Sequence, residues 1–241
     1  MQPAGSFGTM VLGVALGAGV ALAGHFVSKT MVNAKVAINT AEAKGLAERR
    51  VRADRADWSI IHRVSGATRA SVPALYEEAK RNQETIVALL RESGFDDAEI
   101  DLGVLDYEMR EYRDDEQRLV DEAHILVGTI RVETDAVDRV AAARATVNQL
   151  IARGLDIESP PPAYRFTKLN EIKPDMLREA TKNARIAANE FAANADVEVG
   201  GIRSARQGGF IIRDAGAAYG DTEKIEKDVR VVTTITFYLT E

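Results

Sequence analysis

The sequence predicts an α+β protein: a mixed or antiparallel sheet with about three helices packed on it, preceded by one N-terminal transmembrane helix. Three observations carry that reading. An uncharged run, FGTMVLGVALGAGVALAGHFV, extends from Phe7 to Val27. Beyond it, stretches of period-two alternation are interleaved with three stretches of helical period. Two adjacent strand candidates, Ile100–Arg113 and Ala123–Val132, are split by the turn-like Asp114-Asp115-Glu116, which favours a hairpin and so a mixed or antiparallel sheet.

The apolar run comes first. About 21 residues at roughly 1.5 Å rise each are enough to cross a hydrocarbon layer of about 30 Å. A cleavable signal peptide would have a basic n-region and a shorter apolar stretch. Ala21-Leu22-Ala23 resembles a cleavage site, but Met1 to Ser6 contains no Lys or Arg, and the run is long. A retained anchor over 7–27 is therefore expected. Gly13, Gly17, Ala21 and Gly24 recur at helical spacing on one face, with Ala15, Gly19 and Ala23 as a second row. Small-residue rows let transmembrane backbones approach closely, so the first four are the candidate helix-packing residues. Lys29, Lys35 and Lys44 follow the span, and by the positive-inside rule alone they would hold the body in the cytoplasm.

The body, assigned to 36–241, opens with a short segment, Ala37–Lys44, ending at Gly45. Ala53–Val64 reads as a strand with Trp58, Ile60 and Ile61 as its apolar members. From Ser71 to Glu92, Leu75, Ala79, Ile86 and Leu89 share a helical face opposite Glu77, Glu78, Lys80, Arg81 and Glu84. Gly94-Phe95 stops that helix in the glycine-plus-hydrophobe manner. Ile100–Arg113 and Ala123–Val132 follow as strands. Asp135 is the expected cap of a second helix, with Val137, Val140, Val147 and Ile151 apolar, and Gly154-Leu155 repeats the stop. The repeated strand, helix and glycine stop suggests an internal duplication.

Ser159-Pro160-Pro161-Pro162 is a stiff connector. Tyr164–Leu169 reads as a short strand, and Pro174 suits the first turn of a third helix. Along that helix Leu177, Ala180, Ala184, Ala187 and Phe191 define the expected buried face, and its alanines allow close packing on a sheet. Val197–Ile212 and Val229–Leu239 are the last strands. The glycine pairs at 200–201 and 208–209 fit bulges or bends better than a phosphate loop.

Composition excludes several functions. A net charge of −6 and a pI near 5.3 argue against nucleic-acid binding. The absence of cysteine removes disulfides, thiol nucleophiles, thiolate metal sites and a lipidated anchor. Of three histidines, His25 lies in the anchor, while His62 and His124 are expected to be exposed strand residues without ligand spacing. Asp54 and Asp57 sit beside Trp58, but three residues apart in a strand they point to opposite faces and cannot form a dyad. Arg49, Arg50, Arg52 and Arg55 make a basic cluster, read as a solvated loop paired with neighbours such as Glu48 and Asp54. No catalytic, cofactor-binding or metal residues are assigned.

Several segments in order resemble the SIMPL-domain family of bacterial envelope proteins: AKGLAERRVRADRADW at 43–58, ESGFDDAEI at 92–100, YRFTKLNEIKPDMLREATKNARIAANEFAA at 164–193, GGIRSARQG at 200–208 and VRVVTTITFYL at 229–239. Arg55 and Asp57 place charge where the family is more apolar, and Ile100 to Asp135 matches loosely. The resemblance implies an α+β domain exported across the inner membrane, either soluble in the periplasm or anchored to the envelope. With the apolar run as anchor, a single-pass inner-membrane protein with a periplasmic body is expected. The resemblance also implies no established reaction, self-assembly into a homo-oligomer, and a structural or stress-related envelope role. The alternative is a periplasmic module capturing a peptide or envelope protein partner. A hydrolase with dispersed carboxylates, Asp54 or Asp57 among them, ranks below both.

Overall fold

The computed structural model describes residues 6–36 and 39–240; Ala37, Ile38 and Glu241 lie outside the described residues. Helix α1 (Ser6–Val36) carries the apolar run, and Gly13–Met31 is long and apolar enough to cross a membrane. The rest alternates as the fold class requires. Strands β1 (Thr40–Arg52) and β2 (Arg55–Gly66) precede α2 (Val72–Glu92); β3 (Ile100–Arg113) and β4 (Leu119–Thr134) precede α3 (Val137–Asn148). Short strands β5 (Asp156–Glu158) and β6 (Ala163–Arg165) lead into α4 (Leu169–Ala193). Strands β7 (Glu198–Gln207), β8 (Ile211–Asp214) and β9 (Glu226–Thr240) close the chain.

The strands form two sheets. One has the order β1-β9-β7, with β8 also on β9; the other has the order β3-β4-β2-β5, with β6 also on β2. The pairings with a defined register are all antiparallel. Compact packing divides the described residues into two units. One takes those up to Ala47, Pro174–Phe210 and those from Val231; the other takes Glu48–Lys173 and Ile211–Arg230. The strands β1 and β9 and the helix α4 contribute residues to both.

The larger unit is built on β2. Its alternation puts Ala56, Trp58, Ile60, His62 and Val64 inward, and Trp58 and Ile60 join Ile86, Leu90, Ile130, Val132, Val140 and Val147 in one core. Each such aliphatic side chain contributes about 1.5–3 kcal/mol on burial. Both helix stops are Schellman turns. Gly94 and Gly154 take φ of 90° and 92°, and the amides of Phe95 and Leu155 reach back to the carbonyls of Leu90 and Leu150. The two stops share one backbone geometry.

In the smaller unit the alanine face of α4 lies on β1. A Cβ on Gly45 would sit 1.8 Å from the Ala180 carbonyl oxygen and 2.4 Å from the Ala184 nitrogen, so helix backbone occupies the space a side chain would need. Asn183 Nδ2 donates to the Leu46 carbonyl at 2.7 Å beside that contact. Gly45 therefore sits within β1 rather than ending it.

The other boundaries shift for similar reasons. Helix α4 begins at Leu169, which places Pro174 inside it rather than in its first turn. Its buried stripe is Met176, Ala180, Ala184, Ala188 and Ala192, a strict four-residue row. That row leaves Phe191 65% exposed and Leu177 and Ala187 half-buried. Ala136 rather than Asp135 precedes α3; its amide is met by Thr134 Oγ1 at 2.9 Å, and Asp135 faces Arg55 instead. Leu150 is buried where Ile151 was expected, because a 3-10 turn over Ile151–Arg153 rotates Ile151 outward. The long strand expected over Val197–Ile212 breaks at Gly208-Gly209 into β7 and β8, and β7 slips register around Gly200-Gly201.

Candidate functional site

The two body histidines are buried, not exposed. His62 lies opposite Gly128 on β4 and Ile157 on β5. Its ring fills the place of the missing Gly128 side chain: a Cβ there would be 2.1 Å from Nε2. Neither ring nitrogen has a hydrogen-bond partner among the described residues, and burial lowers the pKa of His62 from its ordinary value. His124 Nδ1 meets the Tyr107 hydroxyl at 2.7 Å and Nε2 meets Glu122 at 3.2 Å. The alternation that makes these strand residues also turns them inward.

The remaining sequence candidates each find a separate partner. Asp54 Oδ1 accepts the Thr167 amide at 2.6 Å and its Oδ2 the Thr167 hydroxyl at 2.8 Å; Asp57 accepts from Arg165 at 2.9 Å. They do not share a site. The basic cluster is on strands, not in a loop. Arg50 pairs with Asp228, Arg52 with Asp138 and Glu226, and Arg55 with Asp135. The Arg50 hydrogen bond holds the Asp228 carboxyl below its ordinary range, helped by the Gly216 amide. Among the described residues no three His, Asp or Glu side chains are grouped to hold a metal ion.

Sequence reasoning missed a buried ion pair. Lys227 and Asp214 are fully enclosed and hydrogen-bonded to each other. Burial pushes the Asp214 carboxyl up. The bonds from Lys227 and from the amides of Lys224 and Glu223 outweigh it, and the group lies below its ordinary range. Lys227 Nζ also donates to the Asp221 carbonyl at 2.6 Å, so the pair ties down the connection between β8 and β9. Its signal, a Lys at an inward position of an alternating strand, is in the sequence but easily read as surface.

The feature most able to act on another molecule is an arm. β2 stops pairing with β4 at Gly66, opposite His124. Beyond that point β4 is held by β3 alone, through Arg110 to Ala123, Glu111 to Glu122 and Tyr112 to Asp121. The turn is closed by Asp114, whose Oδ1 accepts the amides of Glu116 and Arg118, each at 2.9 Å. Every residue of β3 from Asp106 to Arg113 is exposed, including Tyr107, Met109 and Tyr112; on β4 Leu119 and Val120 are exposed as well. A two-stranded ribbon with apolar side chains in water is marginal by itself. β3 is also the end strand of its sheet, and its pairing with β4 runs without a slip from Leu105 to Tyr112.

Gly13, Gly17, Ala21 and Gly24 lie along α1, and a Cβ on any of the three glycines meets nothing within 4 Å. Ala15, Gly19 and Ala23, with Leu16 and Val20, line a shallow apolar groove on the same helix.

An apolar N-terminal helix long enough to cross a membrane is followed by an α+β body of antiparallel sheets with an exposed strand arm. The chain belongs to the SIMPL family, described as a protein of unknown function (DUF541), whose family model matches residues 42–237. It is not an established enzyme family. No curated protein matches the chain. Among solved structures, a putative amidohydrolase/peptidase from Burkholderia cenocepacia is similar at 15% identity with a TM-score of 0.21. The match covers 57% of this chain and 35% of that one.

Proposed function

We propose that this chain is a single-pass inner-membrane protein, anchored by residues 7–27, whose 36–241 body stands in the periplasm and self-associates. Its role is non-enzymatic: it serves as a structural or stress-related component of the envelope, with itself as principal partner. The observation that carries the reading is the arm. An uninterrupted open strand edge bearing exposed Tyr107, Met109 and Tyr112 is what native sheets normally cover or blunt. Of the other sheet's two end strands, β1 and β7, the latter is interrupted by two register slips, a usual device against pairing. β3 has no such interruption along its arm. The glycine row on α1 supports association in the membrane as well.

The test is the mass of full-length protein extracted in detergent with the anchor intact. Several copies per particle are expected, and a strict monomer at all concentrations would refute self-association. The same edge favours a second reading, capture of a peptide or envelope protein by strand addition. A monomer that retains one reproducible partner would select it.

A further inference from the structure

The charge sequence along the open edge of β3 restricts how a second copy of this chain fits against it. Two copies pairing edge to edge and antiparallel are related by a two-fold axis normal to the sheet. That axis keeps each side chain on its own face, so the centre must fall on a residue and not between two. In the regular stretch the possible centres can be tried in turn. Centring on Asp106, Glu108, Arg110 or Glu111 sets that charge against its own copy. Centring on Tyr107 sets Asp106 against Glu108. Centring on Leu105 carries the pairing into the irregularity between Leu102 and Leu105, and centring on Tyr112 pairs only Glu111 to Arg113 before the strand ends. Centring on Met109 opposes no like charges. It places Glu108 against Arg110 of the second copy, twice by symmetry, Tyr107 against Glu111 and Tyr112 against Asp106.

We propose that the arms of two copies pair antiparallel through the outer edge of β3, with Met109 on the two-fold axis and Glu108 facing Arg110 across it. The pairing rests on the self-association proposed above and supplies its register. Within one chain Arg110 already lies 3.3 Å from Glu108, and its five donors can serve both carboxylates. The exposed Met109 then packs on its own copy on one face of the paired strands, and the two charge pairs lie on the other face.

The test uses full-length protein in detergent. A Glu108→Arg chain presents two guanidiniums and an Arg110→Glu chain two carboxylates, so each opposes itself and complements the other. Each alone is expected to associate through the arm roughly tenfold more weakly, and an equimolar mixture to recover wild-type association. Because both chains have lost the internal Arg110–Glu108 pair, recovery on mixing reports contact between chains. The chain has no cysteine, so Met109→Cys gives a single thiol. Opposed Cα atoms of antiparallel strands lie about 4.5–5.5 Å apart, within disulfide range. Met109→Cys is expected to form cross-linked pairs on mild oxidation. Glu111→Cys, whose two copies would lie on the order of 14 Å apart along the strands, is not. If the wild type is oligomeric but mixing restores nothing, or Glu111→Cys cross-links as well as Met109→Cys, the register is wrong and self-association stands. A monomeric wild type overturns both.

Discussion

Adding a single methyl group at Gly128 should unsettle the centre of the larger unit. A Cβ there falls 2.1 Å from His62 Nε2, 2.6 Å from Cε1 and 2.9 Å from Cδ2, where ordinary contact begins at 3.4 Å. The ring must retreat by more than about 1 Å, and Ile157 blocks the opposite side of β2. Gly128→Ala is therefore expected to cost about 3 kcal/mol, the upper part of the overpacking range. His62→Ala removes the obstacle and leaves a cavity costing about 2–3 kcal/mol, lessened because an unbonded imidazole no longer has to be buried. In the double variant the new methyl enters the vacated space. Its cost should match His62→Ala alone, giving a coupling of at least about 2 kcal/mol. Urea titration followed through Trp58 reads this directly, since it is the chain's only tryptophan and is buried on the same strand as His62. Losses that add within about 0.5 kcal/mol would refute the reasoning.

Three other outcomes follow from the same structure. His62 has a lowered folded pKa, so below about pH 6.5 the unfolded chain takes up a proton that the folded chain refuses. Stability should be insensitive to this group above that pH and fall below it by up to about 1.4 kcal/mol per unit until the folded pKa is reached; urea midpoints of His62→Ala should lack that component. Lys227→Ala leaves Asp214 charged and enclosed and should cost about 3–5 kcal/mol, with the double variant Lys227→Met, Asp214→Asn recovering part of it. Gly45→Val drives a side chain into the Ala180 carbonyl; hydrogen exchange at Ala184, Ala188 and Ala192 should accelerate at least about a hundredfold, corresponding to some 3 kcal/mol.

Periodicity made the fold class and most elements legible, because burial on one face writes itself into spacing. β3 was read with its observed ends, and the inward set of β9, Val229, Val231, Ile235 and Phe237, was read in register. The two glycine stops were legible because a positive φ favours a residue without Cβ. What was not legible depends on contacts distant in sequence. Gly45 looks like a terminator until Ala180 is placed against it. His62 looks exposed until Gly128 is set opposite. Phe191 and Ala192 differ by one position on a helix, and only the packed row decides which is buried. The arm was seen as a hairpin, but its exposure follows from where β2 ends, which the β3 and β4 sequences do not encode.

The central claim is that the body assembles with copies of itself, and the mass of the intact, detergent-extracted chain tests it most directly. A particle of defined stoichiometry containing two or more copies of the 26.2 kDa chain, stable to dilution, is expected. A single chain at every concentration would contradict it.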